Sequence, residues 1–128
     1  TLSVILQEAG FDVAIYDIYY APDRSVLAKR YDFITATEVV EHLSHPGEVL
    51  GHLWTVLEPG GWLGLMTKLV RDKVAFERWH YKNDPTHISF FCFVTMDYLR
   101  TRWGASIERL EDDVILFRKP DRGLCYEL

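Results

Sequence analysis

Between Tyr31 and Lys68 the chain reads YDFITATEVVEHLSHPGEVLGHLWTVLEPGGWLGLMTK. An apolar run, a polar strand end, a helix, a Pro-Gly-Gly turn and a second apolar run follow one another. Two buried strands around a helix constrain the fold more than any other feature here. Parallel strands need a crossover of this kind, and their apolar runs are near-continuous because both faces are covered. In open α/β sheets, polar groups at the carboxyl ends of strands are where ligands bind. Thr37 and Glu38 occupy that position at the end of the first run, and Glu41 and His42 follow them in sequence.

The flanking segments extend the pattern. Leu2, Val4, Ile5, Leu6 and Ala9 give the opening segment a helical apolar stripe, and Gly10 suits the position just past a helix end. Val13, Ala14 and Ile15 then read as a short buried strand ending at Asp17. From Tyr19 to Arg30, Pro22 and Asp23 mark a turn or helix start, with one or two helical turns over Ser25 to Lys29. Pro46 predicts a helix start, and Val49, Leu50, Leu53, Trp54 and Leu57 form its stripe. The Glu58-Pro59-Gly60-Gly61 turn ends it, and Trp62 to Val70 is the next strand. Arg71 to Asp84 is irregular or partly helical. Thr95 predicts a cap for a helix through Trp103, closed by Gly104. Ser106–Leu110 and Val114–Arg118 flank Glu111-Asp112-Asp113, the signature of an antiparallel pair around an acidic turn. The expectation is an α/β fold: a Rossmann-like, mainly parallel sheet with helices on both faces and an antiparallel C-terminal strand pair. Residues 1–120 form the domain and 121–128 a tail.

Composition narrows the function classes. A chain of 128 residues, 48% hydrophobic and 26% charged, is one globular domain by length. Its net charge of −5, with no cluster of Lys and Arg, argues against an extended nucleic-acid surface. No apolar run reaches the roughly 18 residues of a spanning helix, so no membrane partner is expected. No secretory signal precedes the fold in these residues. Cys92 and Cys125 lack CxxC spacing and fit reduced thiols in a cytoplasmic protein.

Set against known families, the chain resembles a class I S-adenosylmethionine-dependent methyltransferase of the small-molecule branch. YDFITATEVVEHL is similar to the branch's fourth strand and following turn, and LEPGGWLGLMT to its PGG turn and fifth strand. Leu2–Gly10 looks like the first helix, and Phe11–Asp17 like the second strand with its terminal acid. DPTHISFF followed by TMDYLRTRWGASIERLED resembles the segment before the last helix and then the sixth strand. The family's first strand and glycine-rich loop have no counterpart in these residues, and the third strand is absent or reduced. The resemblance places that first strand at the sheet centre, so two strand edges would go unpaired. The second and fourth strands then pair directly, or another chain fills the gap, as in a homodimer, or an N-terminal segment precedes the residues given.

The resemblance implies S-adenosylmethionine as cofactor and a small-molecule methyl acceptor as partner. It gives Asp17 the ribose hydroxyls, which suits a carboxylate with two acceptor oxygens, and Ile18 the adenine face. Thr37 and Glu38 fall beside the methionine part. Glu41 and His42 fall at the pocket mouth, facing substrate. His87, in DPTHISFF, falls in the lid region with Trp79, Tyr81, Phe90 and Phe91 as an aromatic wall. An imidazole is suited to removing a hydroxyl proton as the oxygen attacks a methyl group, so His42 and His87 are the candidate bases. Each residue has a plainer reading: Asp17 a solvated strand-end acid, Ile18 core packing, Thr37 and Glu38 a polar strand end. Glu41 would be a helix-start charge, His42 a surface ring, and His87 a ring tied to backbone. Asp112 and Asp113 read as a solvated turn. His42, His45 and His52 suggest no metal site, because Pro46 interrupts the helix between them and no carboxylate completes a compact set. Two other functions remain open: a non-catalytic module that kept the fold, and a nicotinamide-dependent oxidoreductase, which also uses a strand-end acid for ribose.

Overall fold

The computed structural model describes residues 2–16, 23–78 and 80–121. Its helices are α1 (Leu2–Glu8), α2 (Pro46–Thr55), α3 (Lys73–Glu77) and α4 (Phe93–Trp103). Its strands are β1 (Tyr31–Thr37), β2 (Leu57–Met66), β3 (Ser106–Glu111) and β4 (Val114–Arg118). Short 3-10 turns cover Arg24–Ala28, Val40–His42 and His80–Asn83. The strands form one sheet in the order β1-β2-β4-β3. β1 and β2 are parallel, joined by the α2 crossover, while β2–β4 and β4–β3 are antiparallel.

This is an α/β fold of the Rossmann-like kind, with the antiparallel C-terminal pair where the acidic turn placed it. Its described sheet is mixed, with β1–β2 as the parallel junction. The run expected to be a strand over Phe11–Asp17 does not join the ladder over the described residues 11–16. Three apolar residues in a row indicate burial, but a strand also needs a partner, and a short run cannot name one. Phe11 instead sets its ring edge-on against Phe33 of β1, centroids 5.2 Å apart.

Alternation along the strands sorts the faces. Ile34 and Ala36 of β1 pair with Leu63 and Leu65 of β2, which pair with Phe117 and Ile115 of β4. Leu63, Leu65, Ile115 and Phe117 are buried, together with Leu50 and Trp54 of α2 and Met96 of α4. The indoles of Trp54 and Trp103 stack at 4.5 Å, and Trp103 meets Phe117 edge-on at 5.3 Å, so α2 and α4 cover the same face. Helices were expected on both faces. On the opposite face Phe11 lies on Phe33, Arg118 lies over the Trp62 ring, and Trp62 and Met66 are 37% and 38% exposed. α1 buries none of its residues. No helix among the described residues is long and apolar enough to cross a membrane.

The Pro-Gly-Gly turn lies within β2 instead of before it. Tyr31 pairs with Leu57 and Phe33 with Trp62, so Glu58–Gly61 is extruded as a bulge. Gly60 has φ +79°, a conformation open to glycine. A Cβ on Gly61 would lie 2.7 Å from the carbonyl oxygens of both Asp32 and Glu58. The ammonium of Lys119 pins this corner by donating to the carbonyls of Trp54 (2.9 Å) and Leu57 (2.8 Å). Burial, with Arg30 nearby, pushes its pKa below the usual lysine value.

At its other end β2 stops at Met66 instead of Val70. The amide of Thr67 donates to the carbonyl of Asp113 in the β3–β4 turn. Leu69 then bridges to Phe91, and the Val70 amide donates to the Phe91 carbonyl at 2.7 Å. This hand-over draws the loop before α4 to the carboxyl end of the sheet. α4 itself starts at Phe93, with Cys92 as its N-cap, so Thr95 lies inside the first turn. Gly104 closes it in the left-handed conformation, φ +61°.

Candidate active site

The carboxyl end of β1 carries a backbone irregularity. Among the described residues Glu38 is the non-glycine with positive φ, +55°. Such a conformation costs about 1–3 kcal/mol and persists where surrounding structure holds it. Its amide donates to the Met66 carbonyl at 2.8 Å, the last rung before the two strands part. Thr37 and Glu38 are both exposed at this edge.

The 3-10 turn Val40–His42 follows, and the loop before α4 is stitched to it. The amides of Ile88 and Ser89 both donate to the Glu41 carbonyl, at 2.8 and 2.9 Å. Ser89 Oγ donates to the Leu43 carbonyl. The loop is shaped by Asp84, whose carboxylate accepts from the Thr86 amide (2.9 Å) and hydroxyl (2.7 Å). Those bonds, the hydroxyl first, hold the Asp84 carboxyl below the usual carboxylate range, with His87 and His42 adding to the effect.

His87 is thereby carried onto His42. Their ring centroids are 4.9 Å apart, edge to face. His42 Nδ1 lies 2.8 Å from the Thr86 carbonyl oxygen. A carbonyl can only accept, so Nδ1 is the donor and Nε2 of the neutral ring carries the lone pair. Nε2 lies 3.7 Å from Glu41 Oε1. His87 Nε2 lies 3.5 Å from Asp84 Oδ2. The Glu41 side chain is fully buried, His87 11% exposed and His42 39% exposed. Glu41, expected at the pocket mouth, thus lies behind the two imidazoles.

Of the remaining expected site residues, Asp17, Ile18 and Trp79 lie outside the described residues, as does the side chain of Tyr81. His45 and His52 do not converge with His42: His45 Nδ1 meets Ser44 Oγ at 3.0 Å, and His52 Nε2 meets the Leu27 carbonyl at 2.7 Å. Phe90 and Phe91 do form an aromatic wall. With Val70, Phe76 and Cys92 they line a wide-open apolar depression of about 270 Å³. Phe76 and Phe90 meet edge-on at 5.3 Å. A cavity of about 240 Å³ adjoins through Val70 and Phe76 and is walled by Lys68, Arg71 and Arg109 with Asp112 and Asp113. The Asp112 side chain is 99% exposed, in keeping with a solvated turn.

Sequence reasoning missed Phe76, Cys92 and the role of Thr86. Asp-Pro-Thr is a legible turn signal, but which histidine that turn would orient is not a local property. Cys92 Sγ lies 3.5 Å from Thr95 Oγ1, and this hydroxyl, with nearby backbone amides, draws the thiol pKa down.

An open polar strand end and a paired imidazole corner thus stand at the carboxyl end of β1 on a Rossmann-like sheet, and the loop from that corner leads to the aromatic surface. Residues 1–105 match the family model described as a methyltransferase domain, and the chain belongs to that family. Among solved structures it is similar to an O-methyltransferase family protein from Burkholderia thailandensis, with TM-score 0.59 and 16% identity. That match covers 88% of this chain and 36% of the other, so the chain spans about a third of the length of that neighbour. No match is found among curated proteins.

Proposed function

We propose that the protein transfers a methyl group from S-adenosylmethionine to the hydroxyl oxygen of a small molecule with a flat, apolar body, in the cytoplasm. The observation that supports this reading is the convergence of Glu41, His42 and His87 at the carboxyl end of β1. From that corner the segment Thr86–Cys92 runs directly to the aromatic depression. The cofactor reading rests on the family and on the fit of the β1 edge. Thr37 and Glu38 are exposed there, and Glu38 has a positive φ where the main chain leaves the ladder. By the family resemblance Asp17 and Ile18 would hold its ribose and adenine. Bound there, the cofactor supplies an activated methyl on a sulfonium centre.

The chain's own residues have two tasks. The open apolar depression of Val70, Phe76, Phe90 and Phe91 offers the acceptor's apolar body a surface for edge-to-face contact. Holding it with the oxygen about 3–3.5 Å from the methyl supplies much of the rate, since methyl transfer needs little covalent help. The imidazole corner receives the hydroxyl proton. The bond from Nδ1 to Thr86 aims the His42 Nε2 lone pair into the corner, 3.7 Å from Glu41 Oε1.

Turnover against pH in the intact protein, with a panel of phenolic and aliphatic hydroxyl acceptors, tests the reading. His42→Gln or His87→Gln is expected to lower kcat by about 10²–10⁴-fold and to leave S-adenosylmethionine affinity unchanged. Near-normal rates and an unaltered profile in both variants would overturn it. No transfer to any hydroxyl, with normal cofactor binding, would move the acceptor atom to nitrogen or carbon.

A further inference from the structure

Glu41, His42 and His87 each offer a ligand-type atom, and these atoms all lie within 4.8 Å of one another. We propose that the three form a binding site for a divalent transition metal of the zinc type. Two imidazoles and one carboxylate are the donor set such ions favour over magnesium, which prefers oxygen alone. With metal–ligand bonds of about 2.0–2.1 Å, tetrahedral ligands stand roughly 3.4 Å apart. The 3.7 Å between Glu41 Oε1 and His42 Nε2 is already close to that spacing. His87 comes to the same cluster from the loop before α4.

The surroundings resemble those of a metal centre as well. A ligating imidazole ordinarily donates its other ring N–H to a carbonyl or carboxylate, which fixes the ring and raises its basicity. His42 does this through Nδ1 to the Thr86 carbonyl at 2.8 Å. The Asp84 carboxylate lies 3.5 Å from His87 Nε2. Solvent reaches the cluster from the His42 side, 39% exposed. Three protein ligands and one open position distinguish a catalytic zinc site from a structural one.

The occupant of the open position rests on the function proposed above: the acceptor's hydroxyl oxygen. Bound there, the hydroxyl gives its proton to water because the cation stabilises the oxyanion left behind. The oxygen then forms the bond to the methyl carbon as the sulfur–carbon bond breaks. With zinc bound both imidazoles serve as ligands and water takes the proton; His42 serves as the base only in the metal-free corner.

Calorimetry of the full chain with zinc chloride, and separately with magnesium chloride, tests the site. A single zinc at micromolar affinity or better is expected, with magnesium at least tenfold weaker. His42→Gln and His87→Gln should each weaken zinc by about tenfold or more, while His45→Gln and His52→Gln leave it unchanged. Should the His42 variant fail to fold by circular dichroism, the His87 variant carries the test. Cobalt(II) in place of zinc should give visible absorption bands of a four-coordinate site, lost in His87→Gln. Absence of zinc binding, undiminished binding in both ligand variants, or loss only in the His45 or His52 variants would overturn the site. Methyl transfer that survives complete chelation would overturn the metal's part while leaving hydroxyl methylation standing. Zinc held by these ligands with no hydroxyl methylation would retain the site and remove the function.

Discussion

The two ends of this chain carry similar amounts of apolar sequence and put it to different use. In β2 and β4, toward the C-terminal end, Leu63, Leu65, Ile115 and Phe117 are each 1% exposed or less. In the N-terminal segment Leu2, Ile5, Phe11 and Ile15 are 42% to 62% exposed. An amphipathic stripe is an instruction to bury a face, and it succeeds only against a partner surface. The alternating strands β2 and β4 find one in α2 and α4. α1 keeps its helix, closed by Gly10 at φ +96°, on local hydrogen bonds. Helix formation and helix burial are therefore separate outcomes, and most helical stability in proteins comes from the second.

The sharpest way to break this contrast is a pair of truncations. Phe117→Ala is expected to destabilise by about 3–5 kcal/mol, the range for a buried aromatic ring. Ile5→Ala should change stability by less than about 0.5 kcal/mol, as at ordinary surface sites. Urea unfolding of both variants checks this, and equal losses would show that α1 is packed in solution. Next in size, Gly61→Ala should cost about 1–3 kcal/mol by overpacking, because its Cβ meets backbone oxygens that cannot yield. Gly51→Ala, in α2 with open space at the added Cβ, should be neutral or stabilising by up to about 1 kcal/mol. Thermal melts of the two separate a steric glycine from an incidental one. Lys119→Met keeps the aliphatic stem but strips donors from the Trp54 and Leu57 carbonyls, for an expected loss of about 1–3 kcal/mol. A melt indistinguishable from wild type would mean that water replaces the ammonium at this corner.

The smallest effect lies at the exposed side of the comparison. Asp23 caps the Arg24–Ala28 turn by accepting from the Ser25 hydroxyl and amide, and these bonds lower its pKa from the usual carboxylate value. A carboxyl depressed in the folded state contributes stability above its unfolded pKa and loses it as pH falls through the folded one. On acidification from neutral pH the Ser25 amide resonance should therefore shift below about pH 4, while amides of Leu63 and Phe117 stay put. A shift shared by all of them would indicate global acid unfolding and not a local cap.

Local rules settled much of this protein from the residues themselves. Pro46 begins α2, Gly104 ends α4, and the acidic turn at Asp112-Asp113 joins β3 to β4, because each needs only neighbours in sequence and a fixed backbone geometry. The pairing of EVVEHL with LEPGG marked the methyltransferase family for the same reason: it is a local record of one crossover. Which side chains meet is another matter. The burial of Glu41, the orientation of His42 by Thr86, and the approach of His87 depend on Ile88 and Ser89 reaching the Glu41 carbonyl and on Val70 reaching Phe91. Those contacts join segments far apart along the chain, and no periodicity encodes them. Hydrogen bonds within a turn are specified by the residues of the turn; a site assembled from two loops is specified by the sheet that brings their ends together.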